Sequence, residues 1–136
     1  MSKKKQPLPK FSPCISETCE MMDNAIRDYN WSVEQIHRMD ELTQDYLHKL
    51  ELEDLNYAER AKLATKLQQC RQMRRAHKDT VEVMDPLVKW LNSDRGKSLY
   101  NLLREVLGKT RRAEECMEKR AYYPRVLQQD AIKSQM

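Results

Sequence analysis

The chain has 136 residues, of which 34% are charged, with two glycines, one phenylalanine and a formal net charge of +4. That length suits one domain with its own core, without help from disulfides or metals. A Gly-poor composition rich in Leu, Met, Gln, Glu, Lys and Arg argues for long helices and against a sheet protein, which needs more turn residues and more Val, Ile and Thr.

Residues 1–14 carry Lys3, Lys4, Lys5, Lys10 and three prolines, and read as a disordered basic arm. No apolar stretch follows the lysines, so they do not form a secretory signal. No run in the chain nears the roughly 20 apolar residues of a membrane span. A helical domain is expected over 15–123. Ser16 or Thr18 can cap its first helix, with Glu17 and Glu20 in the first turn. The seam Met22, Ile26, Tyr29, Val33, Ile36, Asp40, Thr43, Leu47, Leu50 alternates steps of four and three, the heptad rhythm of a coiled coil. Asp40 and Thr43 interrupt it, and Met39, Leu42 and Tyr46 take over on the neighbouring face. Ser32 and Gln35 can form a capping box after Trp31. The arm therefore reads either as one helix kinked near residue 31 or as two.

Asn56 and Glu59 make a second helix start. Its seam runs Leu63, Leu67, Cys70, Arg74, His77, Val81, Met84, Val88, Leu91, and Asp85-Pro86 predicts a kink or a restart there. Asn92-Ser93-Asp94 is a turn and cap. The third helix carries Leu99, Leu102, Leu103, Val106 and Leu107 and ends at Tyr122-Tyr123-Pro124. Residues 124–136 read as a flexible tail. Short links near 52–56 and 92–95 imply antiparallel neighbours. The expected fold is all-α: an elongated antiparallel helical hairpin with a third packed helix, a three- to four-helix bundle. A register joining Leu50 to Tyr57 sets Ile26 beside Val81 and Glu34 near Arg74.

Catalytic chemistry finds no foothold. Gly96-Lys97-Ser98 and Gly108-Lys109-Thr110 lack the earlier loop glycine of a phosphate-binding loop, since Leu91 and Leu103 stand there. Glu34-x-x-His37 and Asp45-x-x-His48 lie on one helix, whereas di-iron bundles need such pairs on facing helices. Cys70 and His77 share a face two turns apart, too far for a nucleophile and its base. Cys14, Cys19, Cys70 and Cys116 form no CxxC pair and read as reduced thiols of a cytoplasmic protein. Neither a cofactor, nor a metal, nor enzymatic activity is expected.

Charge is more telling. Residues 14–56 hold three basic and eleven acidic groups, and residues 57–80 hold seven basic and two acidic. Glu34, Asp40, Glu41 and Asp45 on the acidic arm suit a basic protein partner. The other reading is a solvated helix face. Lys109, Arg111, Arg112, Lys119 and Arg120 suit nucleic acid. A further set, Arg71, Arg74, Arg75 and Lys78, is expected to face the chain's own acidic helix. Trp31, Trp90, Tyr122 and Tyr123 sit at expected helix breaks or ends, where they either plug the bundle or anchor a partner. Homodimerisation through a leftover apolar stripe near Leu87 and Trp90 is a third option.

The runs Leu55–Leu63, Lys89-Trp90-Leu91 and Leu102–Thr110 resemble small helical accessory proteins of phages and mobile elements of Gram-positive bacteria. The resemblance covers roughly residues 20–125. It implies a bacterial cytoplasmic protein, or one acting in the host cytoplasm if phage-encoded. It also implies a non-enzymatic inhibitor or adaptor that acts on a host protein such as a defence nuclease.

Overall fold

The computed structural model describes residues 7–121 and Val126. Among them are three helices and no strand: α1 (Ser12–Leu52), α2 (Tyr57–Asn92) and α3 (Asp94–Glu118). No helix among the described residues is long and apolar enough to cross a membrane. The calls on residues 1–6 and on Tyr122, Tyr123 and most of the 124–136 tail lie outside the described residues.

Helix α1 starts inside the stretch assigned to the basic arm, with Pro13 in its first turn, where a missing N–H costs nothing. Neither Ser16 nor Thr18 caps it: the Thr18 hydroxyl donates to the Cys14 carbonyl at 2.9 Å, one turn back. It then runs unbroken for 41 residues, about 60 Å at the standard rise. There is no break near residue 31, and Ser32 is a buried seam residue rather than a cap. Helix α2 begins as the sequence indicates. Asn56 Oδ1 accepts the Glu59 amide at 2.8 Å, and its Nδ2 donates to the Glu59 carboxylate at 3.2 Å. Pro86 lies within α2 without ending it. Pro86 and Glu82 are both exposed, so water can satisfy the carbonyl that proline leaves unpaired.

All nine positions of the expected α2 seam are buried or half-buried. On α1 the seam shifts as expected, with Met39 buried and Leu42 and Tyr46 half-buried. Leu47 and Leu50 are exposed, and Tyr46, Leu55 and Leu63 are the covered apolar residues near the hairpin tip. The register also differs from the sequence estimate. Tyr29 bonds Asp85 at 3.0 Å, Cys70 Sγ donates to the Met39 carbonyl at 3.2 Å, and Arg74 meets Asp40, not Glu34. The helices stop at Leu52 and resume at Tyr57, with Leu55 buried between them, and the arms are offset by several residues from the Leu50–Tyr57 register.

The second link behaves differently. Ser93 closes α2 through its amide to the Trp90 carbonyl and opens α3 by accepting the Gly96 amide at 3.2 Å. Tyr100 then bonds Asp23, and Glu114 bonds Ser12. Rising residue numbers on α3 thus meet falling numbers on α1. Both α2 and α3 run opposite to α1, one after the other, and the link at 92–95 does not fold α3 back along α2. The three helices share a core of Met22, Ala25 and Leu91, with Ile26, Met84, Tyr100 and Leu103 packed against it.

Gly96 makes this junction possible, because a Cβ there would lie 2.1 Å from the Trp90 carbonyl oxygen and 2.7 Å from Leu91 Cα, both backbone atoms. At Gly108 the nearest neighbour would be the flexible Arg112 side chain at 3.8 Å. Gly96→Ala is therefore expected to destabilise by about 1–3 kcal/mol, the cost of overpacking. Gly108→Ala should stabilise by roughly 0.5–1 kcal/mol through its helix propensity. Urea unfolding of the two variants checks this; equal signs would contradict the junction geometry.

Candidate functional site

The acidic arm divides into used and unused carboxylates. Arg74 Nε lies 2.5 Å and Arg71 3.8 Å from Asp40 Oδ1, so Asp40 belongs to the hairpin's own seam. Glu34, Glu41 and Asp45 are exposed, and none enters an ion pair among the described residues. Their spacings of seven and four place them on one line of α1, facing away from α2. Trp31 lies three residues before Glu34. Its side is 53% exposed, and it meets His77 edge-on at 5.1 Å. It sits mid-helix, not at the expected helix break, and it plugs no end of the bundle. Trp90, in the last turn of α2, is 43% exposed.

The basic clusters also divide. Arg71 and Arg74 serve Asp40, as the sequence suggests, while Arg75 and Lys78 are exposed. On α3, Lys109 pairs with Glu105 at 3.3 Å and Arg112 Nε donates to the Gly108 carbonyl at 3.3 Å. Arg111, Lys119 and Arg120 are exposed without an ion pair among the described residues. The described residues contain no group of three His, Cys, Asp or Glu side chains able to hold a metal, and both Gly-Lys-Ser/Thr triplets are helical.

Two features escape sequence reasoning. The first is a cap supplied across the fold. Glu114 accepts the Phe11 amide at 3.0 Å, the Ser12 amide at 2.9 Å and the Ser12 hydroxyl at 2.7 Å. Phe11 offers no side-chain cap and the first turn of α1 has no acidic residue, so a carboxylate from α3 satisfies the helix's open donors. Lys10 and Glu118 add an ion pair at 3.5 Å. The second is a cleft of about 290 Å³ at the three-helix junction, floored by Met22, Ile26 and Leu91 and walled by Asp23, Lys97 and Tyr100. Neither has a local signal, since each joins residues far apart in the chain.

Two carboxylates are perturbed. The Ser12 hydroxyl, then the Ser12 and Phe11 amides and the Lys10 charge, hold Glu114 below the ordinary carboxylate value. Lys89 and then the Tyr29 hydroxyl do the same for Asp85. Asp85 in turn raises both the Tyr29 phenol and the Lys89 ammonium. Both carboxylates clamp helices together: Glu114 ties α3 to the start of α1, and Asp85 ties α2 to Tyr29 of α1. No family model matches the chain, and neither a curated protein nor a solved structure matches it.

Because the folded pKa of Glu114 is depressed, its stabilisation is complete above the unfolded carboxyl's value of about 4.3 and is lost as pH falls through the folded value. Glu114→Gln is expected to lower the urea midpoint at pH 7, and the gap from wild type should narrow steadily as pH falls below about 4. A gap that keeps the same size over that range would contradict the cap.

Proposed function

We propose that the chain is a non-enzymatic interaction protein that docks on another protein through the outward face of α1. Trp31 is the apolar anchor, and Glu34, Glu41 and Asp45 are the charged contacts. One observation carries the reading: an exposed tryptophan at mid-helix heads a line of carboxylates that the fold itself leaves unpaired. Tryptophan is costly to leave in water and common where binding energy concentrates, and the carboxylates suit a basic partner surface and speed its encounter. In the phage or mobile-element setting that the sequence resemblance implies, the partner is a host cytoplasmic protein, and a nuclease with a basic groove fits the charge. Asp40 is removed from the contact set because it serves Arg71 and Arg74.

Direct nucleic-acid binding through Arg111, Lys119 and Arg120 is the competing reading, supported by their exposure on α3.

Affinity capture from Gram-positive bacterial lysate, with and without nuclease treatment, separates the two. The protein reading expects a discrete partner that survives nuclease and is lost at least about tenfold on Trp31→Ala or on joint reversal of Glu34, Glu41 and Asp45 to lysine. Circular dichroism should be unchanged, because these side chains are exposed. Capture that vanishes with nuclease, or that ignores both α1 variants, contradicts it.

A further inference from the structure

We infer that the groove between the N-terminal part of α1 and α3 is a second docking site, and that its occupant is an acidic amphipathic helix of a protein partner. This helix seats one large apolar side chain at the three-helix junction.

Three observations lead there. The junction cleft has an apolar floor of Met22, Ile26 and Leu91, and its volume of about 290 Å³ suits one leucine- or phenylalanine-sized side chain rather than a cofactor. Lys97, Arg104 and Arg111 are exposed and recur every seven residues, so they form one line along α3, roughly 10.5 Å apart at the helical rise. That line starts at the cleft wall, which Lys97 itself builds. None of the three enters an ion pair among the described residues.

The carboxylate that lines the cleft, Asp23, already accepts the Tyr100 hydroxyl at 3.1 Å. Arg104 lies 5.8 Å from the Tyr100 ring centroid and donates to its hydroxyl at 3.4 Å. Tyr100 thus fixes both the cleft wall and the middle cation. A partner helix alongside α3, with carboxylates at i, i+7 and i+14, repeats the same rise and meets all three cations. Its apolar residue one turn from an end then reaches the cleft. A phosphate backbone would satisfy the cations but leave the apolar floor unfilled, so the charge line and the floor together favour protein. The site is separate from the outward face of α1, and either can fail without the other.

The test uses the full chain and a synthetic 18-residue helical peptide, acetylated and amidated, with Glu at positions 2, 9 and 16 and Leu at position 5. Three probes serve as controls: the same peptide with Lys for Glu, the same with Ala for Leu, and a 20-base-pair DNA duplex. Binding is read by methyl and amide NMR shifts. The Glu/Leu peptide should shift the methyls of Ile26 and Leu91. The Ala peptide should bind about 10-fold to 100-fold more weakly, the loss of one buried leucine. The joint variant K97E/R104E/R111E should bind at least about tenfold more weakly with its helix content intact. The proposal is overturned if the Glu/Leu peptide leaves Ile26 and Leu91 unshifted, if the Lys peptide binds as well, or if DNA binds more tightly and displaces the peptide.

Discussion

Helix α1 is longer than the partner that covers it, and the whole fold answers that excess. Leu91, near the end of α2, packs at Met22 and Ala25, so nearly three further turns of α1 project beyond the two-helix hairpin toward Ser12. They arrive with open amides and no local cap. Helix α3 continues where α2 stops, and Glu114 closes the amides from 102 residues away. A long two-helix seam alone is thinly packed: ten apolar residues are buried across the described chain, and none is completely enclosed. The three-helix junction is where the apolar contacts concentrate, so it anchors the geometry of everything beyond it.

Much of this was legible in the sequence, and the reasons for the rest are physical. The α2 seam is readable at every position because its period is regular along the whole helix. Asn56 with Glu59 is readable because a cap is local chemistry. The restart at Pro86 does not occur because proline's cost falls when the freed carbonyl faces water, and exposure is a tertiary property. Leu47 and Leu50 mislead because the face of α1 that meets α2 has moved to Met39, Leu42 and Tyr46, which leaves the original stripe exposed. The register slips because it is set by contacts such as Tyr29 with Asp85 and Cys70 with Met39, and periodicity fixes which face is buried, not which turns meet. The direction of α3 is hidden for the same reason. A short link suggests reversal, but Gly96 lets α3 start against the Trp90–Leu91 backbone and leave toward the start of α1.

The candidate contacts show the same boundary. Sequence reading identified the acidic face but included Asp40, whose neighbours Arg71 and Arg74 are set by register alone. It found the basic residues of α3 but passed over the line from Lys97 through Arg104 to Arg111, because only the junction cleft gives that line a direction. Charges that hold arms together and charges left for a partner are indistinguishable until the helices are paired. Once paired, the molecule offers a carboxylate line on one helix and a cation line on another, each beside exposed or cleft-lining apolar surface.

The measurement that bears most directly on this arrangement is the distance between spin labels on Cys14 and Cys116, which are exposed while Cys19 and Cys70 are buried. If α3 lies on the start of α1 through Glu114, the labels give one narrow distribution below about 30 Å, a few helix diameters. If α3 instead folds back along α2 toward the hairpin tip, helical rise puts them roughly 50 Å apart, and that result would contradict the account.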